Sequence, residues 1–442
     1  MTLALAVFAA LAGCGGGGGG GGGDGGAAPA AASCDLASQK EWLRADVQQR
    51  YYWSGQSPNP EPGPFVSVSS YFNALMYRGD ATSPADRWSY ISDTASYEQF
   101  FAEGRTLGYG LFVNGAELSL PLRVRFVEAR SPAAAAGLRR GDILRSVNGS
   151  DAASLVATGN FSALSPAREG ETVSLDVESV DGTRRVLTLT AATFDLTPVP
   201  VATTLTRPDG GKVGYVVLKD FITQAETPLR EGIARIRADG ASELILDLRY
   251  NGGGRVSTST VLGSLLAGVA HQGKVFTELR YSARQAALNS QYRIDAGSSG
   301  FDRVVVLTGS RTCSASELVV NGLKAYLPVT TLGSATCGKP FGFNPTPNCG
   351  STYSHVNFES FNGLGAGRYY DGIAATCAAT DTFTGELGRA DEPMTARALA
   401  TLQAGGTCAA GAGASPDKQA SLVRPSRPAV REPGDPMPGM FD

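Results

Sequence analysis

Two short runs, ELILD (Glu243–Asp247) and VVVLT (Val304–Thr308), are nearly continuously apolar. A strand with one wet face alternates apolar and polar residues, so runs like these need cover on both sides. Helical spacing flanks them: Leu229, Ile233 and Ile236 recur within TPLREGIARIRADGA, and STSTVLGSLLAG follows the first run. Strands alternating with helices predict an α/β sheet covered by helices, from about Phe194 to 410. Each run also leads into a turn rich in small residues, LRYNGGG and GSRTCSAS. Turns between strand and helix are where nucleophiles are often displayed.

The rest of the chain has a different texture, so the expected class is α/β in a mixed α+β, multidomain arrangement. Residues 34–105 read as a small helical region, with Leu36, Trp42, Leu43, Val47 and Tyr51 at helical spacing in its first segment. From 106 to 193 short alternating segments with glycine turns predict half-buried strands. Residues 411–442 are Pro-rich and read as a disordered tail.

The start of the chain reads as a processing signal rather than as fold. LALAVFAALAGC is a short apolar stretch ending in small residues and a cysteine. Residues 1–14 resemble a bacterial lipoprotein signal, which makes Cys14 the expected lipidation site; the glycine- and alanine-rich residues 15–33 form a tether. The expected location is the periplasmic face of the cell envelope, at the outer membrane, because Gly15 rather than an aspartate follows Cys14. A lipid would then be the only membrane contact, since no apolar run reaches the about 18–20 residues that span a bilayer. With 38 Lys and Arg against 41 Asp and Glu, and no basic stripe, a nucleic-acid partner is not expected.

Export makes the remaining six cysteines (Cys34, Cys313, Cys337, Cys349, Cys377 and Cys408) candidates for disulfides, with about 15 possible connectivities. Four lie between Cys313 and Cys377 and are expected to brace that region. A zinc site is not expected, because no CxxC pair occurs and the chain has two histidines, His271 and His355. No cofactor is expected either.

Ser314 and Ser316 in SASE (Ser314–Glu317) sit just ahead of a helical pattern, where small polar residues usually cap. The same position suits a nucleophile, which needs a base. A lysine serves if dry surroundings keep it neutral, and Lys339, set among Cys337, Gly338, Pro340 and Phe341, has few charges near it in sequence. The oxyanion needs fixed N–H donors, and both a glycine loop after a strand and the first amides of a helix supply them. Ser316 is the expected cap, which leaves Ser314 free. Asp247 and Arg249 are expected to pair behind their loop, and His355 to lie on a surface strand.

Two resemblances sharpen this. SPAAAAGLRRGDILRSVNG (Ser131–Gly149) resembles a PDZ domain, with Gly137, Gly141 and Gly149 at turns that call for positive φ. That implies peptide C-termini adding as a strand at Tyr109, Gly110, Leu111 and Phe112. The order PDZ, DLRYNGGG, SASE and a GK motif is similar to the C-terminal processing (tail-specific) serine protease family across most of Leu107 to Leu402. It implies a crotonase-like protease core with Ser314 as nucleophile and Lys339, 25 positions on, as general base. The amide of Ala315 and one of Gly252 or Gly253 would form the oxyanion hole. The partners implied are proteins or peptides taken by unstructured C-terminal tails. Two positions depart from the family pattern: Pro340 replaces a glycine, and Phe343 stands where many members carry a glutamine that orients the lysine. A relative that binds tails without cutting them is the alternative reading.

Overall fold

The structure is a computed structural model that describes residues 31, 33–117, 119–207, 209–297 and 300–408, and the backbone of 440–441. Cys14 and the whole 1–14 signal lie outside the described residues, as do nearly all of the tether and residues 411–439 of the tail.

The two apolar runs stand side by side in a six-stranded sheet. Its order is Val201–Thr206, Lys212–Val217, Glu243–Asp247, Arg303–Thr308, Val329–Gly333 and Cys377–Ala378. The first pair is antiparallel and the rest are parallel, with Leu246 beside Val216 on one side and Val306 on the other. Both faces are covered. Leu244, Leu246, Val304 and Val306 pack with Leu229, Ile233, Ile236, Leu262 and Leu318 from three helices. Ile245, Val305 and Leu307 meet Met394, Ala398, Leu399 and Leu402 of the helix Pro393–Gln403. Because the strands are parallel, the turns after Asp247 and Thr308 emerge at the same edge, which brings DLRYNGGG and SASE together.

A second six-stranded sheet runs Gly254–Arg255, Met440–Phe441, Phe341–Phe343, Val356–Asn362, Val275–Tyr281 and Ser290–Arg293. Residues 440–441 thus form a strand where composition alone predicts a disordered tail. The N-terminal region has the helices Leu36–Arg50, Val68–Leu75 and Thr94–Phe101, and the strand Tyr90–Asp93. Its aromatic cluster of Trp42, Tyr51, Trp53, Tyr71 and Phe72 closes over Phe341, Phe343, Tyr353 and Val356. It therefore packs directly on the strand that follows Lys339.

Residues 106–193 hold a separate core around Leu111, Val124, Leu144, Val173, Leu175 and Val177. The strands Ile143–Val147, Thr172–Glu178 and Arg184–Thr190 form its main sheet. Gly137, Gly141 and Gly149 adopt φ of 73°, 95° and 77°, the left-handed turns their spacing calls for.

Three disulfides are formed: Cys34–Cys349, Cys313–Cys337 and Cys377–Cys408. Only the second lies wholly between Cys313 and Cys377. The other two tie that region to the N-terminal segment and to the segment after the last helix, so bracing is wider than the clustering of cysteines implies.

Candidate active site

Ser314 is the residue just before the helix Ala315–Leu323 and has φ 61° and ψ −115°. A side-chain cap requires extended backbone at this position. The observed twist is costly for a non-glycine residue, and such strain gathers at functional turns. Its hydroxyl is buried and without a hydrogen-bond partner among the described residues. Ser316 is not the cap: it lies in the first turn, and its Oγ donates to the carbonyl of Asn251 at 3.0 Å. The Cys313 N–H reaches the same carbonyl at 3.1 Å. These two bonds hang the DLRYNGGG loop on the serine turn.

Glu317, at the end of SASE, joins the serine to the lysine. One carboxylate oxygen, Oε2, accepts from the Ser314 N–H at 2.9 Å and from the Lys339 N–H at 2.8 Å. Oε1 accepts from the Gly338 N–H at 2.8 Å and from the Thr336 hydroxyl. Burial pushes this carboxyl above the usual range, against the pull of those donors. The Cys313–Cys337 disulfide runs parallel to this clamp, from the residue before Ser314 to the loop before Lys339. Both sulfurs lie near Glu317, but a disulfide sulfur has no thiolate to offer a metal and no proton to donate. Sequence reasoning assigns Glu317 no role of its own; its position three after the serine is the signal that could have found it.

Lys339 is 1% exposed, and its Nζ lies 4.0 Å from the centre of the Phe343 ring. The residue that replaces the expected glutamine therefore does contact the amine, through the ring face. Pro340 keeps its carbonyl bonded to the N–H and hydroxyl of Ser360, at 2.8 and 3.0 Å.

Of the glycine amides expected as oxyanion donors, Gly253 is already engaged with the Asn251 side chain, 2.8 Å from N–H to Oδ1. The amides of Gly252 and Ala315 have no such bond among the described residues. Gly252 is also the partly exposed residue of the loop. Asp247 and Arg249 pair as expected, the guanidinium forking onto the carboxylate at 3.0 and 2.7 Å.

His355 is buried rather than on a surface strand. Its Nε2 meets Asp46 Oδ2 at 2.7 Å and its Nδ1 meets Asn357, so it fastens the N-terminal helix to the second sheet.

Tyr109, Gly110, Leu111 and Phe112 lie together on the PDZ-like unit but are buried. A Cβ on Gly110 would stand 2.0 Å from Ser131 Cβ, so only glycine fits there. The Phe112 ring sits under Lys219 of the α/β core and Arg125, 5.1 and 5.3 Å away. Arg125 also covers Tyr250, as does Arg140, which reaches Asp381 at 2.7 Å. Tyr250 immediately precedes Asn251, so this joint ends at the glycine loop beside Ser314.

The chain is similar to known proteins over these same regions. Residues 212–355 match the model for peptidase family S41, 123–178 that for a PDZ domain, and 38–90 that for the peptidase S41 N-terminal domain. A carboxyl-terminal-processing protease of a Picosynechococcus species is 29% identical over 53% of this chain and 55% of its own length. The carboxyl-terminal-processing protease of a Synechocystis species is 29% identical over 54% and 55%. The chain spans about half the length of these curated relatives. Among solved structures, an S41 protease fold from Bacteroides fragilis superposes with TM-score 0.65 at 23% identity, covering 82% of this chain and 97% of that one. The photosystem II D1 C-terminal processing protease gives 0.51 at 20%, covering 82% and 96%. Stretches of the chain thus match a PDZ domain and peptidase family S41, within a mixed α/β, multidomain fold.

Proposed function

We propose that the chain is a serine endopeptidase with a Ser314–Lys339 dyad that cuts exported proteins at unstructured, C-terminal segments. The observation that carries this is the single Glu317 oxygen that holds the backbones of both residues. Ser314 Oγ attacks the scissile carbonyl while Lys339 Nζ takes its proton. The amides of Ala315 and Gly252 receive the developing oxyanion. Lys339 returns the proton to the leaving amine, and water then releases the acyl group from Ser314 by the reverse proton path. The PDZ domain would present the substrate's tail at Tyr109–Phe112. Lipidation at Cys14 would hold the enzyme at the envelope, outer membrane preferred. Three disulfides suit such an oxidising compartment.

A second reading, tail binding without cleavage, draws on Phe343, because a ring face attracts an ammonium rather than the free amine a base needs. Hydrolysis of an unstructured tail peptide by the wild type, Ser314→Ala and Lys339→Ala chains decides. The expected loss in either variant is on the order of 10³-fold or more, with a fluorophosphonate adduct on Ser314. Equal background cleavage by all three, or an adduct on Ser316, overturns the dyad.

A further inference from the structure

The strand Met440–Phe441 lies between two pieces of the catalytic machinery. On one side it pairs in parallel with Gly254–Arg255, the residues directly after the Gly252–Gly253 loop, in the register Gly254 to Met440 and Arg255 to Phe441. On the other side Phe441 pairs in parallel with Phe343, the residue whose ring carries the Lys339 amine. Beyond these the ladder continues: Gly254 bridges Phe221, with Arg255 N–H to Phe221 O at 2.7 Å, and Phe343 faces Val356. Without the inserted strand, the strand after the glycine loop and the strand after the lysine each present an unpaired edge to a slot one strand wide.

We propose that this slot is the substrate-strand site of the enzyme, that its ligand class is the extended main chain of an unfolded polypeptide, and that residues 440–441 occupy it in cis as a competitor. The inference rests on the protease reading and names how that site is filled and restrained. Recognition through two backbone ladders takes any chain that can be extended and rejects folded ones. The occupant is chemically the same as the substrate, and its attachment to the enzyme substitutes for affinity. Because the segment belongs to the same chain it meets the slot intramolecularly, where effective concentrations reach the order of millimolar, so even weak pairing holds off a dilute substrate. Ser314 and Lys339 are both buried in this arrangement, and a substrate strand that enters the slot must displace the segment first.

The test uses the full chain with Met440→Pro and Phe441→Pro together. Proline lacks the amide that a ladder needs, so the pair removes whichever residue donates. The expected result is a KM for an unstructured peptide lowered about threefold or more with kcat unchanged, as release from a tethered millimolar competitor requires. A synthetic PMPGMFD peptide added in trans should inhibit the proline variant competitively. The same comparison is made by fluorescence anisotropy of a labelled unstructured peptide on Ser314→Ala chains, with and without the two prolines. That readout needs no turnover: if hydrolysis proves independent of Ser314, the protease reading falls while the binding shift still judges the slot. Unchanged KM and unchanged peptide affinity in the proline chains overturn the proposal, as does inhibition by PMPGMFD that is not competitive.

Discussion

The turn that carries Ser314 and the joint between the PDZ domain and the core are both buried, yet they are held by opposite means. At the turn, main-chain N–H groups of Ser314, Gly338 and Lys339 converge on one carboxylate, and a disulfide runs alongside. Backbone held this way has a single geometry. At the joint, long side chains do the holding: Arg125 and Arg140 over Tyr250, Lys219 over Phe112, and Glu128 beside Lys219 and Asp220. Charges on flexible stems respond to pH and to a ligand in ways a backbone clamp does not. The difference teaches where this protein is fixed and where it is adjustable. The two regions meet at Tyr250 and Asn251.

The largest expected effect comes from breaking the clamp. Glu317→Gln keeps the volume but turns an acceptor-only group into one that also donates, facing N–H groups that themselves donate. At least one buried donor is left unpaired, and the serine and lysine lose their common anchor. The expected cost is about 4 kcal/mol in urea unfolding, and kcat should fall by about 10²-fold from misplacement alone. Unfolding and kcat close to wild type would show that the disulfide alone fixes the geometry.

Much of this was legible in the sequence for a physical reason. The doubly buried strands and the positive-φ glycines are local patterns, and local patterns survive in a linear reading; the 25-residue interval from Ser314 to Lys339 carries meaning only through the family resemblance. What was not legible depends on partners far apart in the chain. Asp46 meets His355 across 309 positions, and Arg140 meets Asp381 across 241. Ser316 was misread as the cap because propensity says nothing of the twist at Ser314, which tertiary contacts impose. The occupied Gly253 amide was hidden for the same reason, since an Asn251 side chain that folds back onto it looks no different in sequence from one that points away. The strand at 440–441 lacks any signal of its own, because two residues are too few to show a periodicity and the strand is defined by the edges it joins.

At the joint, a pH experiment sharpens the contrast. Burial pushes the Glu128 carboxyl up to about 7 from its ordinary 4.5, with Asp220 adding to the rise and Lys219 opposing it. Below the ordinary value both folded and unfolded chains hold the proton, and this group costs nothing. Between about 4.5 and 7 the unfolded chain releases the proton while the folded chain keeps it, so stability falls as pH rises and levels off above 7. The whole span is worth about 3 kcal/mol. Glu128→Gln should flatten that slope in urea midpoints measured across the window. An unchanged slope would move the adjustable charge elsewhere in the joint.

The smallest effect asks whether the two regions are coupled at all. The Tyr250 hydroxyl takes a hydrogen bond from Arg140 and gives one to Asp381, so it belongs to the joint. Asn251, one residue on, is held by the clamp side: its amide nitrogen donates to Leu218 O, its N–H to Leu248 O, and its carbonyl accepts from Cys313 and Ser316. Tyr250→Phe therefore removes two bonds from the joint and none from the loop. Stability should fall by about 1–2 kcal/mol, while kcat on a short peptide stays within about threefold of wild type, since the geometry of the loop is set by Asn251. A fall of about 10²-fold in kcat would mean that the charged joint, not the backbone clamp, sets the position of Gly252, and the division between a fixed turn and an adjustable joint would have to be given up.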